Sequence, residues 1–597
     1  MRDVMRPLWA RAHLAVATKP ERESPPARLP GAPARPGSDR SGRARRRVDL
    51  WLVAALLVTG LALALRVTGL GYGLPFHYHW DEPTIMNRVI RMGGGDLNPH
   101  FFYYPTLLMY VLLVLQGGLY AAGRVLHYYS SPDAFAVAYL TNSTASYLVG
   151  RALVATLGAA TVLLTFIVGR RFLSAPAGLI GALILAVSPV HIGSSHFVTN
   201  DVPMAFFALL SYVFLWDVYR RGLARDYLLS GVVVGLGTAT KYLPFVLLLS
   251  IALAHAFRLR NETGRWSTVL RGWPWLVAAG AAAFAAFAVA SPYVLLDWRS
   301  AIHDYAVQGS LSGAAGCSDC QLNFFTYLGQ TMPWAIGWPA YLLALVGLAS
   351  LSWTRGEKRL RWILLASFPV LLFLMVGSER QPWPRWLVPV APFAGLAAGA
   401  IAWWLIQRFG RTQAPWAARA MSAAVVVLLA VPPAIASTRF DLSLLQPDPR
   451  TQTAEWFQSS VPDGTAVAVQ PLLDRYFFTA QIPTDTSLAD IEGWVPQSKP
   501  AVRSEISESY HRQHVYREAP FTYDVAALRA RGVRYVVLSS AHYHNVDPAA
   551  EDRFYAELAR SATVVKRFQP LSPLPDADQY PVSKPTITVY ELPSPPA

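Results

Sequence analysis

Leu50-Trp-Leu-Val-Ala-Ala-Leu-Leu-Val-Thr-Gly-Leu-Ala-Leu-Ala-Leu-Arg-Val67 is an apolar run broken by one charge, Arg66. Coiled as a helix at about 1.5 Å per residue, it reaches across most of the roughly 30 Å hydrocarbon layer of a bilayer. Runs of the same kind recur at about 146–168, 174–192, 202–218, 227–239, 242–257, 273–292, 333–352, 362–377, 386–406 and 420–436, with the charges gathered between them. Hydrophobic residues make up 53% of the 597 and charged residues only 15%. One water-soluble core cannot hide that much apolar surface. The chain therefore reads as a polytopic α-helical membrane protein.

The formal charge of +15 points to topology, not to nucleic acid. Much of the excess sits in a Pro-, Arg- and Ala-rich tail, 1–48, which ends in Arg43-Ala-Arg-Arg-Arg47. That tail reads as disordered and held against anionic lipid on the cytoplasmic side. With the N-terminus inside, Arg170/Arg171, Arg220/Arg221/Arg225, Arg258 to Arg271, Arg355 to Arg361 and Arg408 to Arg419 all fall in cytoplasmic connections. That is the positive-inside rule met repeatedly. It also keeps 105–123 out of the count, because one more crossing would reverse every later loop. About eleven spans follow, in a plasma (inner) membrane. They make a transmembrane domain over 49–436, with a first extracytoplasmic loop at 68–145, and an extracytoplasmic domain over 437–597. In the latter, Asp524 to Arg531 reads as a helix stopped by Gly532, and Val533 to Ser539 as a strand. A helix over Glu551 to Arg560 and strands at Val564 to Phe568 and Thr586 to Leu592 make the domain α/β.

The first outside loop opens with Pro75-Phe-His-Tyr-His-Trp-Asp-Glu-Pro83. Asp81 and Glu82 could bind a metal, act as a base or pair with a sugar hydroxyl; a solvated loop acid beside interfacial aromatics is the plain alternative. His77 and His79 could join a metal site or simply be satisfied interfacial histidines. Asp201 starts a span on the same face, two residues before Pro203, where an acid also serves as a helix cap. Lys241, in Thr238-Ala-Thr-Lys-Tyr-Leu-Pro244, lies between two apolar runs, a costly place unless it pairs, snorkels or meets a ligand. Arg151 and Arg385 could add fixed positive charge for phosphate oxygens, or salt-bridge elsewhere. The loop at about 293–332 adds Asp297, His303, Asp304 and Tyr305. It also holds the only cysteines, Cys317 and Cys320, whose C-x-x-C spacing is weak evidence for zinc. Asn142-Ser-Thr144 is a sequon on the outer face.

The ordered set His79-Trp-Asp81-Glu82-Pro, Tyr104-Pro-Thr-Leu-Leu, Thr199-Asn-Asp201-Val-Pro-Met-Ala-Phe-Phe, Ala239-Thr-Lys241-Tyr and Pro384-Arg385-Trp-Leu-Val-Pro389 resembles glycosyltransferase family 39 of the GT-C superfamily. That family includes protein O-mannosyltransferases and lipid A aminoarabinose transferases. The resemblance spans roughly 50–436 and implies a GT-C fold with juxtamembrane helices in the first loop. It implies Asp81 as the essential first-loop acid and base, Glu82 as its neighbouring acid and Asp201 as the second-loop acid. Lys241 matches the lysine that meets the donor phosphate, and Arg151 the arginine opening the second span. Tyr-Pro-Thr here stands where the family more often has a Pro-Pro pair. The activity implied is inverting transfer of a sugar from a polyprenyl-phosphate-linked donor to a lipid, glycan or protein acceptor. A divalent ion on Asp81, Glu82 and Asp201 is an alternative use of the same acids. A transporter or lipid flippase is the rival class; it predicts repeats and mid-membrane charges, whereas here no repeat is apparent and the acids share one face.

Overall fold

The computed structural model describes residues 49–268, 270–314, 323–380, 382–470, 481–541, 548–571, 579–580, 582 and 584–593. The readings of the tail 1–48 and of Cys317 and Cys320 lie outside the described residues. Among the described residues eight segments are long and apolar enough to cross a membrane: Leu50–Val67, Leu107–Val125, Thr144–Phe172, Asp201–Arg220, Leu243–Thr263, Trp273–Ala290, Gly356–Gly377 and Pro415–Ser460. Two bent pairs raise the number to ten: Ala175–Ala186 with Pro189–Ser195, bent by 59°, and Phe324–Ile336 with Trp338–Ser352, bent by 118°. The protein is thus a multi-pass helical membrane protein, with eight to ten candidate spans where about eleven were expected.

The difference has local causes. Leu107–Val125 qualifies by length and composition, although the loop charges had set it aside. Ala224–Thr238 has only 15 residues, and Ala391–Gly410, the 20-residue helix over the expected 386–406 run, is not among the candidate spans. In the first bent pair Pro189 opens a new helix, since it has no N–H to continue the preceding ladder. The sharper bend falls at Gly337, whose backbone sits at φ 81° and ψ 140°. A side chain there is strained, and a Cβ would come within 2.9 Å of Pro433 Cδ.

Close helix packing positions the segment that carries Lys241. Ala224–Thr238 lies against the alanine-rich Trp273–Ala290 helix, with Gly231 and Gly235 four residues apart at the contact. A Cβ on Gly231 would stand 2.2 Å from the Ala279 carbonyl oxygen, and one on Gly235 2.1 Å from that of Ala283. Only hydrogen fits at these two sites, the small-residue packing that brings membrane helices together. Gly235→Val is therefore expected to destabilise the protein by about 1–3 kcal/mol or more, read as a lower melting midpoint in detergent.

The long Pro415–Leu444 helix runs past the expected boundary at 436 into the α/β domain. Among the described residues five strands form one sheet: β1 (Ala466–Val469), β2 (Arg517–Glu518), β3 (Tyr535–Ser539), β4 (Thr563–Phe568) and β5 (Ile587–Glu591), in the order β2-β1-β3-β5-β4. The pairs β1–β2 and β1–β3 are parallel; β3–β5 and β4–β5 are antiparallel. Every residue of β3 is buried, as its Tyr-Val-Val-Leu run demands. Asp524 caps the Val525–Ala530 helix through the Ala527 amide, and Gly532 follows at φ 72°.

This domain is docked on the first loop by buried polar and apolar contacts. Tyr72 donates to Asp448 at 2.6 Å, Arg450 grips the same carboxylate at 2.7 and 2.9 Å, and its guanidinium lies 3.7 Å from the Tyr78 ring centroid. Val137 packs with Val495, Val502 and Ile506. The loop that carries Asp81 and Glu82 is therefore held from both sides.

Candidate functional site

Asp81 and Glu82 open the Asp81–Met92 helix. Adjacent residues of a helix point about 100° apart, and here the two carboxylates part company. Glu82 is fully buried. Its oxygens accept from Arg151 Nε at 2.8 Å and Nη2 at 2.6 Å, and Oε1 also accepts from the Val198 amide at 3.0 Å. Arg151 Nη1 donates to the carbonyls of Leu70 and Tyr72 at 2.6 and 2.8 Å. This bidentate pair ties the Thr144–Phe172 helix to the loop between the first span and Asp81. Burial pushes the Glu82 carboxyl up, but Arg151, with His79 and the Val198 amide, brings it below its ordinary value.

Asp81 instead joins residues from three other segments. Arg385, in the turn Pro384–Leu387, meets Asp81 Oδ2 at 2.8 Å, and its Nε lies 3.9 Å from Asp201 Oδ2. Lys241 Nζ donates to Asp201 Oδ1 at 2.6 Å. The Tyr104 hydroxyl donates to Asp81 Oδ1 at 3.3 Å. Two carboxylates and two cations, from the first loop, the head of the Asp201–Arg220 helix, the break after Thr238 and the turn at 384–387, thus form one connected group. The Asp81, Lys241 and Arg385 side chains keep 14–20% of their surface exposed, while Asp201 is nearly closed off at 4%. Burial raises the Asp81 carboxyl, yet Arg385, His79, Lys241 and the Tyr104 hydrogen bond together leave it below the usual range.

Of the residues expected at the site, Asp81, Asp201, Lys241 and Arg385 come together. Arg151 and Glu82 do not join them; they are occupied with each other and with backbone. His79 is buried, stacks on Phe197 with centroids 4.8 Å apart, and accepts the Asp81 amide on Nδ1 at 3.2 Å. Burial keeps its imidazole below the ordinary value despite Asp81 nearby. His77 stacks on Tyr147 and pairs with Ser143 at 2.7 Å. Asp304 accepts from the Phe102 amide at 2.7 Å, Asp297 from Asn98 at 3.0 Å, Tyr305 packs edge-on against Tyr242, and His303 is exposed. These are packing and loop-fixing contacts. The three acids named for a metal ion are engaged elsewhere in this arrangement. Glu82 is taken by Arg151, Asp81 and Asp201 each face a cation, and among the described residues no three His, Cys, Asp or Glu converge as ligands. Tyr104 is the member that the residue-by-residue reading missed, although it opens a motif quoted for the family.

Residues 133–293 match the family model described as dolichyl-phosphate-mannose-protein mannosyltransferase. That match, which contains Arg151, Asp201 and Lys241, bears out the resemblance to GT-C glycosyltransferases and supports a transferase. No curated protein matches the chain. Among solved structures the chain is similar to the apo oligosaccharyltransferase of Archaeoglobus fulgidus, at 10% identity and a TM-score of 0.48, over 82% of this chain and 69% of that one. It is also similar to ArnT of Cupriavidus metallidurans bound to undecaprenyl phosphate, at 15% identity and a TM-score of 0.44, over 90% and 97%. The S. cerevisiae Pmt1–Pmt2 protein O-mannosyltransferase bound to its sugar donor follows at 20% identity and a TM-score of 0.32, over 42% and 34%.

Proposed function

We propose that the protein transfers a sugar from a polyprenyl-phosphate-linked donor to an extracytoplasmic lipid, glycan or protein acceptor, with inversion at the anomeric carbon. The observation that carries this reading is the convergence of Asp81, Asp201, Lys241 and Arg385 from four separate segments. In a membrane protein, ionisable groups gathered in one buried cluster are a default sign of a substrate site.

The donor phosphate competes with Asp201 for Lys241 and with Asp81 for Arg385. As those cations turn to phosphate, the Asp81 carboxylate is released to act as base. It takes the proton of an acceptor hydroxyl or amine while that atom bonds to the anomeric carbon from the face opposite the phosphate. The bond between that carbon and the phosphate oxygen breaks, and its electron pair leaves with polyprenyl phosphate, whose growing charge Lys241 and Arg385 stabilise. Arg151 and Glu82 hold the loop that presents Asp81 and touch neither substrate. In this reading the N-terminus is cytoplasmic, and the α/β domain stands outside the plasma (inner) membrane beside the acceptor.

The test is release of polyprenyl phosphate by the full chain in lipid nanodiscs, with a panel of polyprenyl-phosphate-linked hexoses and pentoses and the host's envelope lipids, glycans and proteins as acceptors. Release that requires Lys241 supports the reading; a protein that neither binds polyprenyl phosphate nor releases it sinks it. The pH dependence gives a second check. Arg385 lowers the Asp81 carboxyl, so the base stays ionised to lower pH than an ordinary aspartate. In Arg385→Gln the largest of the interactions that offset burial is lost, the carboxyl rises, and the acidic limb of kcat/KM is expected to move to higher pH.

A further inference from the structure

The stretch between Phe197 and Asp201 threads through the site, and nearly every group along it has a partner. Phe197 stacks on His79 and lies 5.2 Å below the Arg151 guanidinium. The Val198 amide donates to Glu82, and Asp201 binds Lys241 at 2.6 Å. Thr199 and Asn200 are the exception. Their residues are 1% and 4% exposed, yet the Thr199 hydroxyl and both polar atoms of the Asn200 carboxamide have no hydrogen-bond partner among the described residues.

The position makes this more telling. Asn200 is the N-cap of a 20-residue helix, where asparagine normally accepts from the first amides, and here its side chain makes no cap bond. Buried amides and hydroxyls are almost always satisfied, and leaving them bare costs stability. Local deviations of that kind gather at functional sites. Along the chain the two residues lie between Val198, which the Glu82–Arg151 clamp holds, and Asp201, which Lys241 holds, so they are fixed on both sides next to the charged cluster.

Their chemistry narrows the ligand group. A phosphate oxygen offers no hydrogen and has no use for the Asn200 carbonyl; Lys241 and Arg385 already supply its cations. A carboxamide with both ends free can accept from one hydroxyl and donate to its neighbour, and the Thr199 hydroxyl can do either. We propose that Asn200, assisted by Thr199, reads a pair of vicinal hydroxyls on the transferred sugar and so selects the donor. This rests on the glycosyl-transfer reading above, and it names residues for the sugar where that reading names them only for phosphate and proton.

The experiment compares wild type, Asn200→Leu and Thr199→Val, as full chains in nanodiscs. Each is titrated with bare polyprenyl phosphate and with polyprenyl-phosphate-linked hexoses and pentoses, and each is melted without ligand. Wild type is expected to bind at least one sugar-bearing lipid more tightly than the bare one. Asn200→Leu should keep the bare-lipid affinity and lose the sugar's gain, about tenfold or more for the lost hydrogen-bond pair; Thr199→Val should lose part of it. Because leucine replaces polar atoms that have no partner, ligand-free Asn200→Leu should melt at or above the wild-type temperature. A variant that keeps the sugar preference, or that melts well below wild type, overturns the assignment, as does a wild type blind to every sugar tested. Wild type that binds no polyprenyl phosphate at all instead refutes the glycosyl-transfer reading itself.

Discussion

Asp81→Asn is expected to lower turnover by about two to four orders of magnitude, the usual worth of a general base, while leaving the protein folded. The substitution keeps size and hydrogen-bonding shape. The asparagine oxygen can still accept from Arg385, which reaches Asp81 Oδ2 at 2.8 Å, while its NH2 takes the Oδ1 place and can donate to the Tyr104 hydroxyl oxygen 3.3 Å away. Arg385 also keeps Asp201 nearby, so no cation is left alone in a buried place. What is lost is the electron pair that takes the acceptor's proton. The measurement is single-turnover release of polyprenyl phosphate, beside a melting curve of the same preparation. Lys241→Ala should act differently, weakening donor binding at least as much as it slows the chemical step, because Lys241 meets the donor before reaction begins. Asp81→Asn turnover within about tenfold of wild type would remove Asp81 from the proton-transfer role and leave it as a holder of Arg385.

The membrane architecture could be read from the chain because lipid-crossing helices announce themselves by length and by the arginines between them. The bends at Pro189 and Gly337 could not, since there a continuous apolar run hides a change of direction. The site shows the same division. Asp81, Asp201 and Lys241 were visible as charges in costly places, and they meet. Asp81 and Glu82, however, are indistinguishable as neighbours in a sequence; the first turn of a helix sends one into the cluster and the other into the core. Arg151 reads from sequence as a cation for phosphate or for a salt bridge, and the choice is hidden there because its partner lies 69 positions away. Asn200 gave no signal, for only a structure shows that an N-cap residue is not capping.

Glu82→Gln and Arg151→Met should each destabilise the protein by about 3–5 kcal/mol, since each strands the opposite charge in a dry interior. Both side chains are 1% exposed or less, so water cannot take the missing partner's place. In Arg151→Met the Glu82 carboxylate keeps only the Val198 amide, and the Leu70 and Tyr72 carbonyls lose the donor that shapes the approach to Asp81. Tyr72 also binds Asp448, so the loosening should reach the contact between the first loop and the α/β domain. The double variant Glu82→Met/Arg151→Met removes both charges together and should be less damaging than the two single costs combined. Melting midpoints of the three variants in detergent provide the check, with donor binding measured on the folded fraction. A clamp loses stability and lets donor affinity per folded molecule stay near wild type. If Arg151→Met instead melts like wild type and binds polyprenyl phosphate poorly, Arg151 reaches the donor, and the division of labour between the two acids has to be redrawn with Glu82 beside the phosphate.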